Sequence, residues 1–339
     1  MNPIRIGLVG LGRFAALHGR IWQQMSNVQV TAICDRNPEQ FTKFKAWFPQ
    51  AECYTDWREM LQRQKLDAVD VLTPEHLHKE PVAAALEAGL HVFVEKPLAH
   101  SPEDAALLIE TAMKHNRLLM TGHVLRFDPR YAAVKMKLSS GEYGPLRSIY
   151  AKRNNGKAFF SMYNRVAPVY ILGIHDIDLM HWYMEDEVCE VYATSPPGAD
   201  GAGDLSWAML TFSRGGIGIL ENNWLLPDGA SSFADVRMEI TAEEGAIQIH
   251  DPEQSISYIG NNKIEVPSLI AGFELHGKIG GALANELEHF IACVTEGKAS
   301  EILLPHDALR AVRVAAAIEQ SATERRPVSL SMYERTGQA

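Results

Sequence analysis

Near its start the chain reads Ile4-Arg5-Ile6-Gly7-Leu8-Val9-Gly10-Leu11-Gly12-Arg13-Phe14-Ala15, an apolar strand that runs straight into a glycine-rich turn and then a helix. This is the sequence form of a dinucleotide-binding βα unit. Gly10 permits the tight turn. Gly12 lets the backbone come close to a pyrophosphate, and Ala15, in place of a third glycine, still allows close packing of helix on strand. The helix presents free N–H groups and a positive dipole end to phosphate oxygens, with Arg13 and Phe14 on the same turn. The context supports the motif: a strand before it, a helix after it, and an acidic residue, Asp35, at the end of the next strand.

The same rhythm continues to residue 122. Apolar strands are expected at Ile4–Val9, Val28–Cys34, Ala68–Leu72, His91–Val94 and Leu118–Thr121, with a weaker one around Cys53-Tyr54. Amphipathic helices fit between them at Phe14–Met25, Pro38–Trp47, Asp56–Gln64, Lys79–Ala88 and Pro102–His115. Ser101-Pro102 reads as an N-cap followed by proline at the first helical position. Alternation of β and α predicts a doubly wound parallel sheet, so residues 1–122 are expected to form an NAD(P)-binding Rossmann domain.

After Gly122 the rhythm changes. Strands are expected in close succession at Arg147–Arg153, Val188–Thr194, Leu205–Phe212, Ile217–Asn222, Val236–Thr241, Ala246–His250 and Ile256–Ile259. Such a run predicts an open, mainly antiparallel sheet. Gly216-Ile217-Gly218 has no helix after it and reads as a hairpin, not a second nucleotide turn. Helices are expected at Leu283–Thr295 and Asp307–Ser321; the first places Leu283, Leu287, Phe290 and Val294 on one face. Residues 123–339 thus read as a second α/β domain with helices over one face of its sheet. The other face is open to a second subunit, so a homo-oligomer is expected.

Composition narrows the function classes. A net charge of -10 argues against nucleic acid or an anionic membrane as the main partner. No apolar run approaches the roughly 20 residues that span a bilayer, and no signal-peptide pattern is present. The four cysteines are scattered, without a CxxC pair, which suits reduced thiols in a cytoplasmic protein.

Several residues suit chemistry by their placement. Asp35, at the end of the second strand, can accept both ribose hydroxyls of NAD or act as a turn or capping residue. Arg36 beside it suits a 2′-phosphate, so NAD is expected and NADP stays open. Ligands of open α/β sheets lie beyond the carboxyl ends of the strands. That places Thr73-Pro74 at the cofactor, with His78 as a wall or helix-start residue, and it places Glu95-Lys96-Pro97 there too. The Lys96 ammonium suits a substrate oxygen that gains negative charge; a surface pair with Glu95 is the alternative. In Gly173-Ile174-His175-Asp176-Ile177-Asp178-Leu179-Met180-His181, histidine offers a general base and the aspartates offer caps or orienting groups. The spacing of His175, Asp178 and His181 matches no compact zinc pattern, and no metal is expected. Arg126, Lys152 and Arg153 lie near the expected domain junction and suit a polyhydroxylated ligand or plain solvated charge.

Taken in order, Gly10-x-Gly12, Asp35, Thr73-Pro74, Glu95-Lys96-Pro97 and Gly173-Ile174-His175-Asp176-Ile177-Asp178 resemble the glucose-fructose oxidoreductase, inositol dehydrogenase and rhizopine-catabolism family. Arg126-Phe127-Asp128-Pro129 and the helix around Leu287–Val294 extend the resemblance over nearly the whole chain. It implies a Rossmann domain followed by an α/β domain with an open sheet, and dimers or tetramers formed through that sheet. It implies NAD- or NADP-dependent oxidation or reduction of a sugar, a cyclitol or a related alcohol. Lys96 then matches the lysine at the reacting oxygen, and His175 the acid/base. Inositol-dehydrogenase-like members carry an aspartate four residues before that histidine, where this chain has Ile171. Tyr170 next to it and Asp176 are the candidates to replace that carboxylate.

The expected cofactor contacts are therefore Gly10, Gly12, Arg13, Phe14, Asp35, Arg36, Thr73, Pro74, His78, Glu95 and Lys96. The expected substrate contacts are Lys96, Arg126, Arg153, Tyr170, His175 and Asp176. Two other activities fit the same pattern: an NAD-retaining glycoside hydrolase, and a catalytically silent NAD-binding regulator.

Overall fold

In the computed structural model the described residues are 2–198, 203–252, 256–259, 264–266 and 273–331. In chain order the first elements are β1 (Ile4–Val9), α1 (Ala15–Gln24), β2 (Val28–Cys34), α2 (Phe41–Trp47), β3 (Glu52–Tyr54), α3 (Trp57–Arg63), β4 (Ala68–Val71), α4 (Lys79–Glu87), β5 (His91–Glu95), α5 (Pro102–Lys114) and β6 (Leu119–Gly122). There follow α6 (Pro129–Ser139), β7 (Leu146–Gly156), α7 (Phe160–Tyr163), α8 (Ile174–Met184), β8 (Val188–Thr194), β9 (Leu205–Phe212), β10 (Ile217–Leu226), β11 (Ala234–Ala242) and β12 (Gly245–Asp251). The last are the ribbons β13 (Tyr258–Ile259) with β14 (Ile264–Glu265) and β15 (Phe273–Leu275) with β16 (Lys278–Gly280), then α9 (Ala282–Glu296), α10 (Pro305–Glu324) and β17 (Val328–Ser329). No helix among the described residues is long and apolar enough to cross a membrane.

The chain forms two compact units, Met1–Asp128 with Leu269–Val312, and Pro129–Ser268 with Arg313–Ala339. The first holds a six-stranded parallel sheet in the order β3-β2-β1-β4-β5-β6. The strand order reverses between β1 and β4, which opens a ligand crevice at their carboxyl ends. Ser101 caps α5, its hydroxyl accepting the Asp104 N–H at 3.1 Å, with Pro102 at the first position.

One expectation fails here. α9 does not cover the second sheet. Leu283, Leu287, Phe290 and Ile291 join Ile6, Leu8, Phe93 and Met120 in the core of the first unit, and the Phe93 and Phe290 rings meet edge to face at 5.6 Å. Its apolar stripe specified burial but not the surface that buries it. The first unit is therefore built from two separate stretches of chain, where a single boundary after residue 122 was expected.

The second unit holds a seven-stranded sheet in the order β12-β11-β7-β10-β9-β8-β17. Only β7 and β10 pair in parallel; the other neighbours are antiparallel. Its covered face packs on α8 and the later turns of α10. A Cβ at Gly218 of β10 would meet Met180 Sδ of α8 at 2.9 Å, and Ser321 of α10 accepts the Ala193 N–H of β8 at 2.9 Å. On the opposite face Tyr192, Trp207, Met209 and Ile217 stay exposed. Gly215 and Gly216 turn the β9–β10 hairpin.

Candidate active site

The glycine turn joins β1 to α1 at the switch point. Gly10 has φ +89°, and a Cβ there would lie 2.8 Å from the Leu72 carbonyl carbon and the Thr73 nitrogen, so only glycine fits. Gly12 is different: a Cβ there meets nothing within 4 Å. α1 has no side-chain cap and no acid in its first turn. An uncapped helix end facing open space fits a nucleotide diphosphate. Asp35 closes the turn from β2, its Oδ2 accepting the Leu11 N–H at 2.7 Å and its Oδ1 the Asn37 N–H at 2.8 Å. Each carboxylate oxygen has a second lone pair, so acceptor capacity for ribose hydroxyls is left. Arg13, Arg36 and Pro74 are exposed, as is Phe14, and Thr73 is half-buried.

Of the two places expected for His78, it takes the helix start, as the N-cap residue of α4, and not the cofactor wall. It is buried, with Nδ1 2.8 Å from the Pro97 carbonyl oxygen and Nε2 2.8 Å from that of Thr73. Burial lowers its pKa. The ring braces the end of β4 against the segment after β5.

Lys96 follows β5 and is half-buried. Glu95 was expected at the cofactor, but its carboxylate looks inward. Oε2 lies 3.3 Å from the Lys96 N–H, and Oε1 lies 3.3 Å from His18 Nε2, an ion-pair distance. His18 also reaches Asp70, which accepts the Trp22 indole N–H as well. Sequence reasoning missed this cluster. The signal was there: Asp70 interrupts the apolar run Ala68-Val69-Asp70-Val71, and an acid in a strand buried on both faces needs partners.

In the second unit a π-helical turn, Val169–Gly173, leads into α8, whose first turn carries the half-buried His175. Gly173 sits where any Cβ would collide with the Asn222 side chain of β10. Asp176 is buried, and both of its oxygens are taken by Arg153 of β7, from Nε at 3.0 Å and Nη2 at 2.8 Å. Burial works against the Arg153 charge, but Asp176 and Tyr131 raise its pKa further still. The pair holds the first turn of α8 to the sheet, so neither residue is a free ligand contact.

Tyr170 is also corrected. It is 1% exposed, and its hydroxyl donates to Glu319 Oε2 at 3.2 Å. Burial and then Glu319 push its pKa upward, away from use as a proton donor at neutral pH. Arg126 belongs to the first unit; its Nη1 donates to the Ile302 carbonyl at 2.7 Å and to Asp307 at 2.8 Å, with only 3% of the side chain exposed. A buried guanidinium needs such partners, and these tie β6's outgoing segment to the start of α10. Among the described residues no group of three or more His, Cys, Asp or Glu is arranged to hold a metal ion.

The parallel sheet, the obligatory glycine at the switch point and the open helix end define a Rossmann oxidoreductase built for NAD. The family model described as an oxidoreductase family with an NAD-binding Rossmann fold matches residues 4–123, and the GFO/IDH/MocA C-terminal domain matches residues 131–248. The chain belongs to the GFO/IDH/MocA family. It is 27% identical over 335 residues to a myo-inositol 2-dehydrogenase of Thermotoga maritima, covering 96% of this chain and 98% of that protein. It is 30% identical over 252 residues to an inositol 2-dehydrogenase/D-chiro-inositol 3-dehydrogenase of Shouchella clausii, covering 73% and 72%. The fold of myo-inositol 2-dehydrogenase from Lactobacillus plantarum superposes with a TM-score of 0.86 at 23% identity, over 97% of this chain and 100% of that one.

Proposed function

We propose that this NAD-dependent oxidoreductase interconverts a secondary alcohol of a cyclitol or sugar-like polyol and the matching ketone. The observation that carries this reading is the pairing of a glycine turn open to a diphosphate with Lys96 at the end of β5, in a chain whose relatives are inositol dehydrogenases. NAD, when bound, supplies the two-electron acceptor. Gly12 and the α1 N–H groups hold the diphosphate, and Asp35 accepts the ribose hydroxyls and disfavours a 2′-phosphate. Lys96 donates a hydrogen bond to the reacting oxygen as charge builds there. His175 takes the hydroxyl proton during oxidation and returns it in reduction. The Arg153–Asp176 pair fixes the helical turn that carries His175.

The second unit serves substrate binding and assembly in this reading. The exposed Tyr192, Met209 and Ile217, with Tyr150 stacked on Trp207 at 6.3 Å, suit a homodimer or homotetramer formed on the open sheet face. The four free cysteines suit a reducing, cytoplasmic setting.

A screen of cyclitols, sugars, sugar acids and their keto forms, read by absorbance of the reduced nicotinamide with NAD and NADP, tests the activity. Turnover of a polyol with NAD supports it. Tight NAD binding with no turnover across the panel, or release of free sugar from an aryl glycoside without net reduced cofactor, would overturn it.

A further inference from the structure

Under the nucleotide turn lies a charged cluster that no step above uses. Asp70, in β4, is fully buried. Its Oδ2 accepts from His18 Nδ1 at 2.9 Å and from Trp22 Nε1 at 2.8 Å. His18, in α1, is fully buried as well, and its other nitrogen faces Glu95 Oε1 at 3.3 Å. The ring therefore has a carboxylate on each nitrogen. Nδ1 is hydrogen-bonded to Asp70, while Nε2 meets Glu95 at ion-pair distance and not in hydrogen-bond geometry. A neutral imidazole has one N–H and would turn a lone pair toward one of the two anions, and only the doubly protonated ring sets positive charge against both. Burial disfavours that charge, but Asp70 and then Glu95 outweigh it and carry the pKa up to about 10. Its remaining ring neighbours, Phe14 at 5.2 Å and Phe93 at 5.7 Å, carry no charge.

Glu95 is held at both of its carboxylate oxygens. His18 faces one oxygen, and the Lys96 N–H lies 3.3 Å from the other. Gly122 of β6 leaves the room: a Cβ there would fall 2.8 Å from Glu95 Oε1. The carboxylate lies at the residue that precedes Lys96, so its orientation bears directly on the path of the chain into Lys96.

We propose that His18 is a positioning residue: an imidazolium held between Asp70 and Glu95 that fixes the Glu95 carboxylate and, through it, the placement of Lys96. The proposal rests on the role given to Lys96 above, and it assigns the Asp70–His18–Glu95 chain a part in setting Lys96 for the reaction.

Two measurements test it. The first needs no turnover: nitrogen-15 spectra of the whole protein with NAD bound, with His18 assigned from the spectrum of His18→Gln or Asp70→Asn. The ring is expected to keep both N–H protons at about pH 8, well above the ordinary histidine pKa. A neutral His18 at that pH overturns the proposal and leaves the Lys96 reading untouched. The second is a mutant cycle of His18→Gln and Lys96→Ala, with NAD and myo-inositol or the polyol that the screen finds turned over. His18→Gln is expected to lower kcat about tenfold or more with NAD Kd changed less than about twofold, and to have almost no further effect once Lys96 is alanine. Full additivity of the two substitutions, or wild-type kcat in His18→Gln, overturns the proposal. Wild-type kcat in Lys96→Ala alone instead removes the role of Lys96 itself. If His18→Gln does not fold, Glu95→Gln takes its place in the cycle, since that side chain is 13% exposed and tolerates the change more readily.

Discussion

Arg153 grips Asp176 through two parallel hydrogen bonds, 3.0 and 2.8 Å long, immediately beside His175. The guanidinium comes from β7 and the carboxylate from the first turn of α8, so one ion pair sets where that turn rests on the sheet. A two-point bond of this kind resists rotation as well as separation.

Arg153→Lys keeps the charge and loses the fork. It is expected to lower kcat more than it raises KM, and to reduce unfolding free energy by about 1–2 kcal/mol. Arg153→Ala leaves a buried carboxylate without its partner and is expected to cost about 3–5 kcal/mol. Urea unfolding followed by circular dichroism checks both, and equal stability of the three proteins would contradict the structural weight given to the pair.

The two glycines of the nucleotide turn are expected to fail differently. Gly10→Ala forces a side chain into φ +89° against the backbone of Leu72 and Thr73, so the protein is expected to lose at least about 2 kcal/mol of stability. A Cβ at Gly12 meets no protein atom within 4 Å, and Gly12→Val places its methyls in the space above the turn. It is expected to keep the wild-type melting temperature and to weaken NAD about 100-fold, a loss of about 3 kcal/mol. Thermal melts and an NAD fluorescence titration separate the two outcomes.

Lys96→Ala is expected to lower kcat by roughly 10²-fold or more, the scale of losing one donor at a developing oxyanion, with NAD affinity nearly intact. Tyr170→Phe is the contrast. Its hydroxyl serves Glu319, so kcat and its pH profile are expected to stay within about twofold of wild type. A large loss in Tyr170→Phe would return that phenol to the proton path.

Arg126 is expected to act on stability and not on substrate affinity. Arg126→Ala removes the bonds to Asp307 and the Ile302 carbonyl and is expected to cost about 3 kcal/mol with KM unchanged. Burial pushes the Asp307 carboxyl up, but Arg126 and Arg310 reverse this and hold it below its ordinary value. Such a group stabilises the fold above its unfolded pKa and loses that contribution as pH falls through the folded one. Wild-type stability should therefore drop below about pH 4, and Arg126→Ala should flatten that drop. Urea midpoints from acid to neutral pH are the measurement.

Much of the fold was legible. β1 and β2 run over the residues expected, and the other strands of the parallel sheet differ by a residue or so at their ends. In the second unit α6, α7, β14 and β17 were not anticipated. The motif residues were legible as types, but their partners were not. Asp35, Lys96 and His175 stand where strand ends and helix starts put them. Arg126, Arg153, Asp176 and Tyr170, all read as ligand contacts, turn out to be held by other side chains of their own unit.

The amino-acid order alone determined the periodicities, the glycine elbow and the acid at the end of β2, because each depends on residues within one or two turns of each other. It could not choose the surface that buries α9, since an apolar stripe is satisfied by any complementary face. Nor could it pair His18 with Asp70 across 52 positions, Tyr170 with Glu319 across 149, or Arg126 with Asp307 across 181. Those choices follow from which charges packing removes from water together, and desolvation is a property of the folded interior that no local pattern encodes.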